Sequence, residues 1–452
     1  MSASPDHSNQ NPTLAQRLLA VGEPRFPVFE QQRRAGVPSS LPDTELPPGT
    51  LSIPEKTPPI ELLPESVAAT WLTTNVKSVE DILFARIPAW GVQGVTTCIF
   101  PKVVAQSWPQ TLYGPIDKAE ASCLLVKDIQ GKGKGCVAAR GVPRGELVAQ
   151  ERALLVMPRT CVAPQYFVGA ATNTMTPNQR VAFFALHNSK SSGDKSNNAL
   201  DIISSNSFLI PGVPGHGVLY LAIFETFSRL NHRCGSPLVP WSPSSNKPRV
   251  VSCCPNAMFR WDHDTFSGEI RALRPISGGE EVTISYFHDI MEPATVTHER
   301  QRFLLACHNF KCTCLVCGRP SQVRSRNDED RLAISVSLNN IDKYHREMVR
   351  DWIKNGGNDH ARLLNYLHAV EKALDQEIIF HPTYWIYLAR VIVMTRCALR
   401  DAKAARKWAQ RAAQHTRAAT GSDGGWDAIA REPEKCEWWG AWNKPRLRGI
   451  WV

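Results

Sequence analysis

The 452-residue chain has no run of eighteen or more apolar residues, which excludes a simple transmembrane helix. Its most apolar window, Tyr384 to Leu399, is interrupted by Arg390 and Arg396. The N-terminus has no basic segment leading into an apolar one, so no secretory leader is expected. The thirteen cysteines lack the even placement of a secreted disulfide scaffold. Four of them fall between Cys307 and Cys317, at metal-ligand spacing, which suits a reducing compartment and a zinc site. Acids are outnumbered by bases, 42 to 52, for a formal charge of +10. That excess is diffuse and contains no dense basic localisation run. It gathers only on Arg396, Arg400, Lys403, Arg406, Lys407, Arg411 and Arg417, at mixed helical phases, and reads as a solvated face or a partner surface. No recognition helix or aromatic platform accompanies the cysteines, so direct nucleic-acid binding is not expected.

The length allows two or three domains. Residues 1–64 hold 12 of the 33 prolines, each fixing φ and removing a donor, so this stretch reads as disordered or loosely attached. A short helix is expected from about Pro64 to Phe84, and residues 1–110 are read together as a Pro-rich, largely disordered region. From Ser122 the chain alternates short apolar runs with Gly and Pro turns, which indicates β-structure. Cys123–Ile129, Cys136–Arg140 and Glu146–Glu151 are the first strands, and a second β-rich stretch spans Asn206–Tyr286. Pro177–His187 reads as a helix. From Asp328 to about Thr420 the pattern is helical, resembling a small TPR-like array without a clean repeat. Trp426, Trp438, Trp439, Trp442 and Trp451 are expected to pack the tail onto these helices.

Four groups of residues stand out. The turn Gly131-Lys132-Gly133-Lys134-Gly135 permits close backbone approach to a ligand. No helix pattern follows it, which argues against a dinucleotide fold, and no Gly-Lys-Ser/Thr follows, which excludes a P-loop. Alone it is also an ordinary hairpin turn. Cys312, Cys314 and Cys317 supply three of zinc's four tetrahedral positions, and an all-protein ligand set makes the metal structural. The third group is Asn231-His232 with Pro255-Asn256-Ala257, and the fourth is Gly278-Gly-Glu-Glu-Val-Thr-Ile-Ser-Tyr286. Each has a plain structural reading by itself.

In this order, with Glu151, Asn206-Ser-Phe208 and Trp261-Asp262, the groups resemble the SET-domain protein lysine methyltransferases. Within that family the likeness is to the SMYD-like branch without a MYND finger, and it covers roughly residues 122–319. The resemblance implies an α+β fold: a β-rich SET domain over 120–290, a post-SET zinc segment over 291–320, and an α-helical C-terminal domain over 328–452. It implies S-adenosylmethionine as methyl donor, structural zinc, and a protein substrate, histone or non-histone, bearing the target lysine. By the same resemblance Tyr286 is the catalytic tyrosine. Lys132, Gly133, Lys134, Gly135, Asn206, Asn231, His232 and Phe310 contact the cofactor, and Cys253, Cys312, Cys314 and Cys317 bind the metal. The implied setting is a monomer in the nucleus or cytoplasm, off the membrane. A catalytically inactive interaction scaffold is the competing reading.

One departure from the family pattern matters. The family motif runs Asn-His-Ser-Cys-x-Pro-Asn, whereas here Arg233 to Val251 intervene between His232 and Ser252. Removing those 19 residues restores Asn-His-Ser-Cys-Cys-Pro-Asn, keeps the frame and lowers the charge by three, to +7. The codons permit a retained intron, and a genuine surface insertion is the alternative. Cys234 also follows Asn-His at the family spacing, so it competes with Cys253 as the fourth zinc ligand.

Overall fold

The computed structural model describes residues 49–54, 79–87, 95–102, 104, 116, 122–159, 164–189, 198–211, 218–232, 255–287, 295–313, 317–318, 320–354, 360–376 and 381–443. Three sheets build the first half. β1 (Ile82–Ile87), β2 (Thr96–Pro101), β6 (Leu155–Pro158), β8 (Leu219–Ile223) and β7 (Phe208–Pro211) form a five-stranded sheet in that order. β10 (Ala257–Asp262), β11 (Ser267–Ala272) and β5 (Leu147–Glu151) form a second. β3 (Leu124–Ile129), β4 (Gly133–Ala138), β12 (Glu281–Ile284) and β9 (Asn231–His232) form a third, with β12 antiparallel to β4 and parallel to β9. Helices α1 (Pro164–Thr174), α2 (Pro177–Phe184) and α3 (Asn198–Asn206) cover this β-rich half. α4 (Thr297–His308) leads out of it.

The strands expected from residue 122 onward are present; Gly131-Lys132 turn the chain between β3 and β4, and Gly133-Lys134-Gly135 already belong to β4. The sheets also recruit earlier residues. A 3₁₀ turn (Val79–Asp81) followed by β1, and not an α-helix, occupies the end of the 64–84 window, and β2, buried along its whole length, follows it. Apolar runs too short to hold a helix gain their place by pairing with β6, a contact that lies far away in sequence. The rest of that expected helix lies outside the described residues.

The second half is helical: α5 (Ser321–Lys354), α6 (His360–Gln376), α7 (Pro382–Ala398), α8 (Ala402–Thr420) and α9 (Trp426–Arg431). α7 is the apolar window of the sequence, and nearly all its residues are buried by the surrounding helices, including Arg390. No described helix is long and apolar enough to cross a membrane. Four of the five tail tryptophans pack as expected: Trp426 and Trp438 are buried, Trp439 packs against the helical core, and Trp442 lies 4.4 Å from Trp352 between ring centroids; Trp451 lies outside the described residues. Part of the proline-rich stretch 1–64 is seated on the same helices, where the Ile53 N–H donates to Glu437 Oε1 at 3.0 Å. Much of the positive charge on α7 and α8 is consumed internally. Arg411 pairs with Glu371 at 3.0 Å and lies over Trp385, Arg396 pairs with Asp401, Arg417 pairs with Asp427, and Arg406 donates to the Ala430 carbonyl.

α8 joins the two halves. Arg144 reaches His415 at 3.4 Å, and Arg260 of β10 lies against Gly421, the left-handed C-cap of α8, where cationic charge complements the helix terminus. At Gly145, with φ of +81°, a Cβ would sit 2.7 Å from the Gln414 carbonyl oxygen. Gly145→Ala should therefore destabilise the chain by about 2 kcal/mol or more, from left-handed strain plus the broken contact. Urea unfolding checks this, and an unchanged midpoint would contradict the close approach.

Candidate functional site

The four-stranded sheet organises a polar cluster around β9 and β12. Asn231 pairs with Thr283 and His232 with Ile284 across these parallel strands. The Asn231 amide donates to Glu281 Oε1 at 3.0 Å and to the Lys134 carbonyl at 3.3 Å. Glu281 Oε2 takes the Lys132 ammonium at 2.7 Å. Gly135 lies beneath this cluster. A Cβ there would fall 2.6 Å from Asn231 Nδ2 and 2.5 Å from Ile129, so only glycine lets β4 pass so closely. At Gly133 the equivalent position has nothing within 4 Å, which leaves open space beside the hairpin. Lys134 points elsewhere, pairing with exposed Asp128 at 2.9 Å.

His232 links this cluster to an aromatic one. Its Nδ1 accepts the Tyr286 main-chain N–H at 3.1 Å, so a neutral ring carries its proton on Nε2. Burial, reinforced by neighbouring His308, Arg300 and Lys132, pushes His232 down to about 3 and keeps it neutral. Ring centroids lie 5.0 Å from His232 to Tyr286, 5.9 Å from His232 to Phe310, 4.6 Å from Tyr286 to His308 and 6.3 Å from Tyr286 to Phe310. The Tyr286 hydroxyl donates to the Leu230 carbonyl at 2.9 Å, and burial pushes its titration well upward. It therefore stays protonated, with oxygen lone pairs left to accept.

Glu151 fixes the approach to Asn231-His232. Its carboxylate accepts the N–H groups of Thr226 (2.9 Å) and Phe227 (3.0 Å), at the start of the 3₁₀ turn Phe227–Arg229 that precedes β9. Burial nonetheless pushes its carboxyl up to about 7, against the pull of those donors. Asn206 stands behind the same turn. Its amide donates to the carbonyls of His187 (2.6 Å) and Ile202 (2.7 Å), and its own carbonyl accepts Ser228 Oγ–H.

Residues 133–287 match the family model described as the SET domain. The chain carries a SET domain. It is 26% identical over 256 residues to the "Histone-lysine N-methyltransferase set5" of Schizosaccharomyces pombe, covering 56% of this chain and 67% of that protein. It is 29% identical over 201 residues to the human "Histone-lysine N-methyltransferase SMYD1", covering 42% of this chain and 36% of that protein. The chain thus spans about two thirds of the yeast relative's length and about a third of the human one's. The crystal structure of CpSET8 from Cryptosporidium aligns over 60% of this chain and 95% of that one at 12% identity. Its TM-score of 0.22 is too low to carry an argument.

Beyond the SET match, α4 holds the start of the cysteine segment. Gln301 brackets Cys312, accepting its N–H at 2.8 Å and donating to its carbonyl at 2.6 Å. Buried Arg300 places Nη2 at 3.7 Å from Cys317 Sγ, and a guanidinium there favours a thiolate. Cys312 and Cys317 are buried with Phe287 and Leu304, and Tyr286, Phe303 and Phe310 pack on that cluster. Cys314, Cys253 and Cys234 lie outside the described residues, and no three-donor group is assembled among the described residues. A thiol pair of this kind fits as part of a tetrahedral zinc set.

Residues 233–251 also lie outside the described residues, but their flanks are fixed. Asn231 is the strand partner of Thr283, and Asn256 Oδ1 accepts the Thr283 N–H at 2.8 Å. The chain therefore leaves and returns at one residue of β12.

Of the sequence-derived cofactor residues, the fold brings Lys132, Gly135, Asn231, His232 and Phe310 into one neighbourhood with Tyr286. Gly133 borders it, while the side chains of Lys134 and Asn206 are engaged to its outside and rear. Glu281 and His308 were missed. Glu281 sits inside a quoted motif but shows no partner until β4, β9 and β12 are assembled. His308 is a lone histidine at a helix end, with no pattern to single it out.

Gly135→Ala should displace the Asn231 amide and weaken S-adenosylmethionine binding about tenfold or more, an effect of ~1.4 kcal/mol. Titration calorimetry on a variant with unchanged circular dichroism checks this. Undiminished affinity would show that Asn231 does not serve the cofactor.

Proposed function

We propose that the chain is an S-adenosylmethionine-dependent protein-lysine N-methyltransferase of SMYD-like type, with zinc fixing its post-SET segment. The observation that carries this reading is the Tyr286 hydroxyl: half-buried, protonated and hydrogen-bonded to Leu230, within a ring cluster that joins His232 and Phe310 beside the Asn231–Glu281–Lys132 group. The curated relatives bear histone-lysine methyltransferase names, which supports a protein lysine as acceptor, with histones as the first substrates to test.

Bound S-adenosylmethionine would supply a methyl group already activated by its sulfonium charge. The protein's task is alignment, water exclusion and acceptance of a neutral amine. Because Tyr286 gives its proton to Leu230, its oxygen can accept an N–H from the lysine and turn the nitrogen lone pair toward the methyl. Asn231, His232 and the open side of Gly133 would hold the donor's polar groups, and Phe310 would cover its adenine. Lys132, held by Glu281, would pair with the donor's carboxylate. Lys134 and Asn206 are proposed to act indirectly, the first through its main-chain carbonyl on Asn231 and the second through the turn before β9.

The convergence on Thr283 supports treating residues 233–251 as dispensable. Without them, Ser252–Cys254 join His232 to Pro255 through four peptide steps, a reach of roughly 14 Å. Calorimetry with S-adenosylmethionine on the full chain and on a form lacking 233–251 tests the reading. Binding is expected at least in the shortened form, and Tyr286→Phe in that form should keep affinity while losing at least ~10²-fold in methyl transfer, the scale of one positioning contact. If neither form binds while both are folded and zinc-loaded, the scaffold reading replaces the enzyme.

Metal analysis gives a separate check. One zinc per chain is expected, supplied by Cys312, Cys314, Cys317 and Cys253. Cys312→Ser should lose it and loosen the Phe310 wall of the site. A metal-free wild-type chain that still binds S-adenosylmethionine would remove zinc from the proposal.

A further inference from the structure

His308 ends α4, and the helix end that carries it is fixed. Asn309 follows in the left-handed C-cap conformation, with φ of +55°, and its N–H donates back to the Leu304 and Leu305 carbonyls. The Asn309 side chain donates to the Ser189 carbonyl at 3.2 Å, which ties this helix end to the segment after α2. The His308 ring lies 4.6 Å from Tyr286, 6.0 Å from Phe303 and 6.4 Å from Phe310 between centroids. It is half-buried, so one side of the ring stays within reach of an incoming ligand.

The other polar groups around Tyr286 are engaged. The Tyr286 hydroxyl proton goes to Leu230, its main-chain N–H occupies His232 Nδ1, and Glu281 is shared by Asn231 and Lys132. His308 differs. Among the described residues no hydrogen bond reaches either of its ring nitrogens, and burial alone pushes the group down to about 4. The ring is therefore neutral near pH 7, with one nitrogen a donor and the other an acceptor.

A lysine that attacks a methyl group presents a neutral nitrogen, with its lone pair toward the methyl and two N–H groups left over. The Tyr286 oxygen can accept one of them. The other, left without an acceptor once water is excluded, costs about 1–3 kcal/mol. A carboxylate beside the nitrogen would favour the ammonium form, whose lone pair is spent on a proton. An uncharged imidazole accepts the N–H without that full-charge attraction.

We propose that His308 is the second hydrogen-bond acceptor for the target lysine's nitrogen, acting together with the Tyr286 oxygen. The inference rests on the methyltransferase reading and adds a substrate-binding residue to it.

The test needs no knowledge of the protein substrate. The probe is a donor analogue carrying a 2-aminoethyl arm where S-adenosylmethionine carries its methyl, so that the amine stands in for the lysine nitrogen. S-adenosylhomocysteine, which has no arm, is the control. Both are titrated by calorimetry into whichever form, the full chain or the one lacking 233–251, binds S-adenosylmethionine. The arm is expected to add at least tenfold in affinity to the chain with His308, the scale of one or two hydrogen bonds. His308→Phe keeps an aromatic ring and removes both nitrogens. It should cut the gain from the arm at least fivefold and leave S-adenosylhomocysteine affinity within twofold. Should that variant fail to fold, His308→Leu takes its place with the same expectation. A gain that the substitution leaves unchanged overturns the proposal, as does an arm that adds no affinity to the chain with His308. An equal loss for both ligands assigns His308 to the donor's wall and overturns it too. Failure of the methyltransferase reading looks different: neither form binds S-adenosylmethionine at all, and the proposal falls with it.

Discussion

The amide of Asn256 is fully buried, and all its hydrogen-bonding capacity runs to one short stretch. It donates to Glu280 Oε1 and the Glu281 carbonyl, and it accepts from the N–H and the hydroxyl of Thr283. A buried amide left unsatisfied costs about 1–3 kcal/mol per group, so the register between Pro255-Asn256 and β12 is tightly specified. Everything in the site hangs from that strand. β12 carries Glu281, which holds Asn231 and Lys132, pairs with β9, which carries His232, and delivers the chain to Tyr286. Glu280 is fixed in turn: burial acts to raise its carboxyl, but Arg274, the Ser277 N–H and Asn256 outweigh it and keep it below the usual range.

The same logic explains how distant segments cooperate. Glu151, at the end of β5, caps the turn that launches β9, so the second sheet sets the entry into the third. α4 brackets Cys312 and faces Cys317 while its last residue, His308, lies against Tyr286. A metal bound at the cysteines would therefore stiffen the segment that carries Phe310. Tyr286, Phe303, Phe310, Cys312 and Cys317 share one packed cluster, so the aromatic residues and the cysteine segment are held together.

The helical domain is bolted to the β-rich half through α8, by Arg144 on His415, Arg260 at the α8 C-cap and the close passage of Gly145. Of its seven clustered basic residues, Arg396, Arg406, Arg411 and Arg417 have internal partners, whereas Arg400, Lys403 and Lys407 are exposed. The domain also receives the chain's own residues 51–54 at the opposite end of the sequence. Residues 51–54, the helices and the described part of the tail are thus tied together.

Sequence alone determined the local elements and the residue types of the site. Glycine turns between β-branched runs specified the β3–β4 hairpin, helical periodicity specified α5 to α8, and the order of the four motifs pointed to Tyr286, Asn231, His232 and the cysteines. Tertiary structure decided the rest, because the deciding contacts are between residues far apart in the chain. β1 and β2 are strands only because β6 and β8 complete their sheet, and residues 51–54 are ordered only because helices supply a seat. Glu281 and His308 gain their contacts only when their neighbours arrive, and the partners of the Lys134 and Asn206 side chains are likewise set by the assembled fold. Backbone propensity reaches a few residues along the chain, whereas burial and hydrogen-bond satisfaction are properties of the assembled whole.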